Sequence, residues 1–268
     1  MITLRNQAFG PLLATSADHK ASLTRALRSD LPAGADQELT EPAGIPGRPS
    51  KPQLVPHTQL EQRSMASAEG RATLVHALAH IELNAIDLAL DLVWRFPKMP
   101  DEFYGQWLGV AREEALHFEL LRDHLRSMGY DYGSFPAHNA LWDMAEKTKH
   151  DLLARIALVP RTLEARGLDA SPPIKAKLVG AGDHKAGAIL DVILRDEIGH
   201  VAVGNQWYRW LCEARGLDPI GTYAELAKKY EAPRLRGPFN IEARRAAGFD
   251  EAEIRLLEAP RDCHGLPP

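Results

Sequence analysis

Apolar residues recur every three or four positions along four long stretches of the chain, at residues 66–95, 101–128, 138–167 and 183–215. This spacing places the apolar side chains on one face of an α-helix. Helices of about 25 residues are roughly 40 Å long, and this length is typical of a four-helix bundle. No stretch between them shows the alternation of a strand. The pattern therefore predicts an all-α fold built on a four-helix bundle.

The breaks between these helices carry residues that interrupt helical structure. Pro97 and Pro100 separate the first two helices, residues 129–136 separate the second from the third, and residues 167–173 precede the fourth. Proline lacks the N–H that a helix needs, and glycine favours turns. We therefore expect the third helix to end near residue 167.

The segments outside the bundle have a different composition. Residues 28–58 are rich in Pro, Gly, Ser and Thr and show no sustained periodicity. We predict an extended N-terminal arm over residues 1–60, the four-helix bundle over 61–215 and a C-terminal helical cap over 216–268. The arm is either disordered or wrapped on the domain, since prolines lower the entropy cost of ordering it.

Charge and composition narrow the functional classes. The net charge of −4 gives no general electrostatic case for nucleic acid. No apolar run approaches the roughly 18 residues of a membrane span, and Cys212 and Cys263 form no CxxC pair or disulfide scaffold. We expect a cytoplasmic protein. A local basic stretch comprises Lys228, Lys229, Arg234, Arg236, Arg244 and Arg245. Acidic residues interrupt this stretch, so a solvated surface is favoured over RNA binding.

Two of the predicted helices contain the same four-residue motif, Glu114-Ala-Leu-His117 and Glu197-Ile-Gly-His200. A Glu and a His three positions apart lie on one helix face and can reach the same metal ion. A single match would carry no weight, because chance gives about one in a chain of this length.

The helix before each motif offers one inward carboxylate. Glu82 lies 32 residues before Glu114, and Glu164 lies 33 residues before Glu197. Two helices with one Glu each and two with Glu-x-x-His make up the ligand set of di-iron and di-manganese carboxylate bundles. We therefore predict two metal ions, iron with Fe/Mn as an alternative, held by Glu82, Glu114, His117, Glu164, Glu197 and His200.

The neighbours of these carboxylates make the prediction sharper. The residues on the face of Glu82 are all apolar: Val75, Leu78, Ala79, Ala85, Ile86 and Ala89. A charge placed there is costly unless it is paired or bound to metal. For Glu164 a salt bridge to Arg161 on the same face is the alternative to metal binding, since Pro160 interrupts this helix.

Other polar residues near the motifs have open roles. Glu113 and Asp196 each precede a motif by one residue, and they either orient the ligating histidines or face solvent. We predict that His76, His80 and His124 are not ligands. The aromatic residues either line a pocket and carry electrons or, as is more common, fill the core; they are Tyr104, Trp107, Trp142, Trp207 and Tyr208.

These motifs, in their contexts HIELNAIDLALD, EEALHFELL, LVPRTLEARGLD and DEIGHVAVGNQWY, resemble a bacterial family of ferritin-like proteins catalogued as domain of unknown function 455. The similarity runs from Pro46 to Phe249. It implies a ferritin-like fold and a di-metal site but no reaction. A looser likeness, limited to the ligands, connects the chain with di-iron hydroxylases that act on modified tRNA.

Three functions follow as hypotheses. The first is an O2- or peroxide-dependent oxidoreductase whose small-molecule substrate and electron donor the sequence does not specify. The second is non-enzymatic iron binding, storage or sensing, and the third is hydroxylation of tRNA. A homodimer is left open. We also predict that residues 46–56 and 236–240 lie on the bundle and help to close the metal cavity, since reactive di-iron centres need shielding from water.

Overall fold

The computed structural model describes residues 1–61 and 63–259, and within them helices are the only repeating structure. A parallel bridge between Leu54 and Ala137 is isolated. We number the α-helices in chain order: α1 Leu4–Gln7, α2 Phe9–Leu13, α3 Ala17–Arg25, α4 Ala68–Arg95, α5 Asp101–Ser127, α6 Ala140–Lys147, α7 Leu152–Leu158, α8 Ala165–Gly180, α9 His184–Ala214, α10 Pro219–Lys229, α11 Ile241–Ala246 and α12 Glu251–Glu258. A 3₁₀ turn spans His57–Gln59, and a π-helical turn, Val159–Glu164, joins α7 to α8. The prediction of an all-helical chain is confirmed.

The long helices form a helical bundle from two packed pairs. α4 packs along α5, α8 packs along α9, and α5 contacts α9 to join the two pairs. Side chains of Ser67 and Asp183 cap the first turns of α4 and α9 by accepting hydrogen bonds from backbone N–H groups. The predicted bounds of these helices and of α5 agree with the structure to within two residues.

α4 is the most deeply buried of the long helices. Its length and mean hydropathy would also suit a membrane span, contrary to the expectation that no segment approaches one. However, 78% of its apolar window is buried inside the protein. We therefore describe it as the core helix of the bundle, since such helices combine length with apolar composition on all sides.

The third helical region differs from its prediction. Residues 148–151 interrupt it, and from Leu152 the chain stays helical through α7, the π-turn and α8 as far as Gly180. α8 thus contains Pro172 and Pro173, which were expected to end it. Pro172 has no N–H to donate to the carbonyl of Leu168, and the side-chain amide of Asn240 donates to that oxygen instead, at 3.2 Å.

The N-terminal region is more ordered than an extended arm. α1–α3 pack against α4 and α5, and the Pro-rich stretch that follows is free of α-helix. Arg5 donates to the carbonyl oxygen of Trp94 at 2.6 Å, and Lys20 forms a fully buried ion pair with Asp87 of α4. These helices have 4, 5 and 9 residues and depend on tertiary contacts, so their local pattern was too short to predict them.

The Pro-rich stretch docks on the bundle. The N–H of Gly47 donates to Leu12 at 2.7 Å, and that of Val55 donates to Ala137 at 2.8 Å. The stretch borders a small cavity whose α4 wall includes His80, Leu83, Asn84 and Asp87. Those side chains point about 100–200° away from Glu82 around the helix. The Pro-rich stretch therefore covers a different face of α4 from the one that carries Glu82.

Candidate metal centre

Side chains from three helices converge inside the bundle. One ligand atom from each of Glu82 on α4, Glu114 and His117 on α5, and Glu197 on α9 lies within 4.8 Å of the others. All four residues are at most 7% exposed. The Nδ1 atom of His117 is 3.4 Å from carboxylate oxygens of both Glu82 and Glu114. This buried group could hold a metal ion.

Glu114 lies between the two motif histidines. Its Oε2 faces His117, while its Oε1 is 2.9 Å from Nδ1 of His200. The same Nδ1 is 3.9 Å from Oε1 of Glu197. The second Glu-x-x-His motif therefore adjoins the four-residue group through Glu114, and one carboxylate faces imidazoles from both α5 and α9.

Glu164 on the π-turn is not one of the four grouped residues, but it lies three residues before Gly167, where a Cβ would be 4.0 Å from the carboxyl carbon of Glu197. The residue is half-buried, yet its Oε2 atom is fully buried and has no hydrogen-bond partner. Burial and then the charges of Glu197 and Glu114 raise the pKa of its carboxyl well above the usual value. The salt bridge considered between Glu164 and Arg161 does not form, because Arg161 pairs with Glu253.

Hydrogen bonds to the motif histidines cross between the two motifs. Nε2 of His117 on α5 is 3.1 Å from Asp196 on α9, and Nε2 of His200 on α9 is 2.8 Å from Glu113 on α5. Because an ionised carboxylate only accepts hydrogen bonds, each Nε2 carries the hydrogen. Each Nδ1 then faces the carboxylate cluster. Asp196 and Glu113 thus each contact a motif histidine, and the Glu113 side chain is also 52% exposed to solvent. Orientation of the histidines by these two carboxylates stays a prediction.

Five inward-facing atoms of the cluster are buried and form no hydrogen bond of good geometry: Glu82 Oε2, Glu114 Oε1, Glu164 Oε2, Glu197 Oε2 and His200 Nδ1. Their nearest polar neighbours are other members of the cluster, as in the 2.9 Å approach of Glu114 Oε1 to His200 Nδ1 and the 3.4 Å approach of Glu82 Oε2 to His117 Nδ1. Each such group costs about 1–3 kcal/mol when it is left unsatisfied, and more when charged. Carboxylate oxygen and imidazole nitrogen atoms that face one another, and that no group outside the cluster satisfies, are suitable ligands for a divalent cation. The residues present therefore fit a metal ion.

In the absence of a metal ion, the pKa values of the cluster favour bound protons. Burial first, and then the charge of Glu114, raise the pKa values of Glu82 and Glu197. Burial lowers the pKa of His117, but hydrogen bonds to Glu114 and Glu82 outweigh it and raise the pKa to about 11. Burial likewise raises the pKa of Glu114, yet His200 and His117 together bring it below the usual value. The metal-free cluster thus retains protons that a cation would displace.

The other histidines near the motifs have partners of their own. His76 accepts a hydrogen bond from the N–H of Gly133 at 2.9 Å. His80 lies between the hydroxyl of Tyr132 and the carbonyl of His138, and burial lowers its pKa to about 4. His124 pairs with Asp183 at 2.9 Å. These contacts agree with the prediction that none of the three is a ligand.

The five aromatic residues considered for a pocket are all buried. Tyr104 and Tyr208 donate to backbone carbonyls of Phe96 and Pro219, and Trp207 donates to Gln106. These contacts favour a role in the core. Trp107 differs, since its Nε1 is buried without a partner and it lies two turns before Glu114 on the same helix face.

The π-turn is the part of the site that sequence reasoning did not foresee. It contains Pro160, and the N–H of Ala165 bonds to the carbonyl of Pro160, five residues earlier. Gly204 of α9 allows a close approach, because a Cβ there would lie 3.1 Å from the ring of Pro160. Pro160 was the available signal, since a proline inside a helix demands local adjustment.

The fold and the site define an all-helical protein with a buried carboxylate–histidine cluster able to hold a metal ion. The chain belongs to the family described as Protein of unknown function (DUF455), which matches residues 13–255. It is similar to an uncharacterized protein of Haemophilus influenzae, with 48% identity over 224 residues that cover 81% of this chain and 78% of that protein. No solved structure matches the chain.

Proposed function

We propose that this protein is a di-iron carboxylate protein with a ferritin-like arrangement of α4, α5, α7–α8 and α9. The observation that carries the proposal is the set of five buried candidate ligand atoms that face one another and form no hydrogen bond of good geometry. A hydrophobic or ion-paired core would satisfy or omit such atoms. A di-metal site satisfies them with two cations.

Six residues would hold the two ions. Glu114 would be the carboxylate shared between the two motifs, because its two oxygens face His117 and His200 separately. Glu82, Glu164 and Glu197 would supply the remaining carboxylates. Carboxylates and imidazoles suit several divalent ions, so iron is proposed from the ligand set of carboxylate bundles, with Fe/Mn as the alternative.

The proposed reaction is an oxidation that uses O2 or peroxide, with a small-molecule substrate and an external electron donor. Bound iron would supply the redox chemistry. The chain contributes the rest. Asp196 and Glu113 fix the ring orientation and tautomer of His117 and His200. The apolar packing of α4 excludes water around Glu82. A cytoplasmic setting is part of the proposal.

The alternatives receive less support from the contacts. The basic stretch considered for RNA binding is partly neutralised, because Arg244 pairs with Asp169 and Arg245 pairs with Glu251. Storage or sensing of iron would use the same cluster. Repeated catalytic turnover distinguishes storage from the proposed oxidoreductase. A storage protein oxidises iron, but it does not consume an organic reductant in repeated cycles.

The test is metal analysis followed by controlled exposure to oxygen. Protein loaded anaerobically with Fe(II) should bind two ions per chain, and exposure to O2 should produce an absorption change that a reductant reverses over repeated cycles. The matched variant Glu114→Gln should bind fewer ions. Wild-type protein that binds no iron under these conditions would refute the metal centre. Binding of two ions without repeated redox cycling would refute the oxidoreductase and favour storage.

A further inference from the structure

The π-turn links the candidate metal centre to the C-terminal cap. Arg161 and Glu164 both lie on this turn, three residues apart. In an α-helix, residues at this spacing share a face. A π-turn closes hydrogen bonds over five residues and so has more residues per turn, which turns these two side chains away from each other. The Oε2 atom of Glu164 is buried on the side of Glu197, while Arg161 pairs with the cap.

Arg161 occupies a cage of side chains. Its guanidinium lies over the rings of Tyr208, Tyr223 and Phe249, with 4.6, 5.1 and 5.0 Å to the ring centroids. Its Nε donates to Asn205 at 2.8 Å. The remaining face forms an ion pair with Glu253. The planar guanidinium can stack and donate in fixed directions at once, which a lysine cannot do.

Most of this cage belongs to the cap. Tyr223 is on α10, Phe249 precedes α12 and Glu253 is on α12. Glu253 is itself held, because Arg209 donates to it at 2.9 Å and the backbone N–H of Asp250 at 3.0 Å. Tyr223 makes a further contact with the π-turn through its hydroxyl, which is 3.0 Å from that of Thr162. The cap therefore contacts the turn at two successive residues.

We propose that Arg161 is a positioning residue through which the C-terminal cap sets the place of Glu164 in the metal centre. This inference rests on the proposed metal-binding function. Glu164 has no hydrogen-bond partner at its buried Oε2 that would hold it in place. Its position is therefore set by the backbone of the π-turn, and the strongest contacts of that turn are those of Arg161 and Thr162 with the cap.

The experiment is a Co(II) titration of full-length protein by calorimetry and visible absorption, with the melting temperature of each metal-free variant measured in parallel. Arg161→Lys should weaken the less tightly bound ion by about 10–100-fold, the range seen when outer partners of metal ligands are lost. The matched control is Arg209→Lys. Arg209 lies on α9, outside the π-turn, and contacts the same Glu253. This substitution should change neither dissociation constant by more than about twofold.

Combination with Glu164→Gln isolates the route of the effect. If Arg161 acts through Glu164, Arg161→Lys should change Co(II) binding by less than about twofold in the Glu164→Gln background. Tyr223→Phe loses one hydroxyl, so it provides a milder variant should Arg161→Lys fail to fold. It should weaken the same ion several-fold, and only when Glu164 is present.

The possible results separate this inference from the proposed function. Weakening that persists in the Glu164→Gln background shows a general structural role and overturns the proposal. Wild-type affinities in folded Arg161→Lys and Tyr223→Phe also overturn it, while leaving the metal centre intact. If wild-type protein binds no Co(II), the proposed metal centre fails, and this inference fails with it.

Discussion

Nε2 of His117 on α5 lies 3.1 Å from a carboxylate oxygen of Asp196 on α9. His117 belongs to the first Glu-x-x-His motif, whereas Asp196 immediately precedes the second. The relationship is reciprocal, since His200 contacts Glu113 across the same helix interface. Partial burial raises the pKa of Asp196, but hydrogen bonds from Arg195 and His117 lower it overall. Asp196 is thus ionised at neutral pH and accepts a hydrogen bond from Nε2 of His117, so that Nδ1 is the ring nitrogen that faces the cluster.

The first prediction concerns this contact. Asp196→Ala should weaken metal binding by about 10–100-fold, because the ligating histidine loses the partner that sets its tautomer and orientation. Metal titration of the folded protein measures the effect. Asp191→Ala is the matched control on α9, since Asp191 pairs with the exposed Lys175. Equal affinities for the Asp196 and Asp191 variants would contradict the orienting role.

The second prediction concerns the charge of Glu197. Glu197→Gln should reduce metal occupancy, yet the metal-free variant should be as stable as the wild type or more so, because a buried carboxyl next to Glu114 is replaced by a neutral amide. Thermal unfolding with and without chelator provides the measurement. Glu213→Gln, an exposed position on the same helix, serves as the control. A strongly destabilised metal-free variant would show that Glu197 has a structural role.

The third prediction is a pH dependence of stability. The pKa of His117 rises from 6.5 to about 11 in the folded metal-free protein, so between these values the folded state holds a proton that the unfolded chain has released. This contribution to stability is fully present below pH 6.5 and is lost as the pH rises towards 11. The raised pKa values of Glu82 and Glu164 act in the same direction from lower pH.

Metal binding has the opposite dependence, because the ligands must lose these protons. The difference in melting temperature between metal-loaded and metal-free protein should therefore widen between about pH 6.5 and about pH 8.5. Calorimetry in buffers of different ionisation enthalpy should also detect proton release on metal binding. A constant difference in melting temperature across this range would argue against a cluster that exchanges protons for metal.

The fourth prediction concerns the N-terminal helices. Lys20→Met leaves Asp87 buried without its counter-charge and should lower the free energy of unfolding by about 3–5 kcal/mol. Adding Asp87→Leu should recover much of this loss, since the unpaired charge is removed. Urea unfolding measures both variants. Lys175→Met breaks an exposed pair with Asp191 and should cost about 0–1 kcal/mol. A similarly small effect of Lys20→Met would mean that α3 is not integral to the domain.

Deleting residues 1–57 would be a poor test of whether the Pro-rich stretch shields the metal centre. It would remove α1–α3 along with the Pro-rich stretch and leave Asp87 unpaired. Substitution within 46–56 is the better experiment. Docking of this stretch on α4 is observed, whereas protection of the cluster from chelators stays a prediction that chelation rates of such variants would test.

The sequence could predict α4, α5 and α9 because their apolar periodicity is long and local. α8 could not be predicted, because its helical path over Pro172 relies on Asn240, 72 residues away from Leu168 in the chain. The crossed pairing of Glu113 and Asp196 also escapes sequence analysis. It depends on the rotation of α5 relative to α9, which no pattern within either helix specifies.

The site residues show the same division. The repeated Glu-x-x-His spacing identified Glu114 and His117 as partners, and the structure brings them together with Glu82 and Glu197. Arg161 was considered as a partner of Glu164, because regular helical spacing places the two on one face. The π-turn changes that geometry, and its residues per turn are not encoded by any local repeat.

The crossed hydrogen bonds also bear on how this chain could change over generations. A substitution at Glu113 alters the environment of His200 in the other helical hairpin, and a substitution at Asp196 alters that of His117. Changes in one hairpin would thus be tolerated only alongside changes in the other, and aligned relatives should show covariation between positions 113 and 200 and between positions 117 and 196. A chain split between α5 and α6 would yield two fragments. His117 in the first would lack Asp196, and His200 in the second would lack Glu113, until the two fragments reassemble.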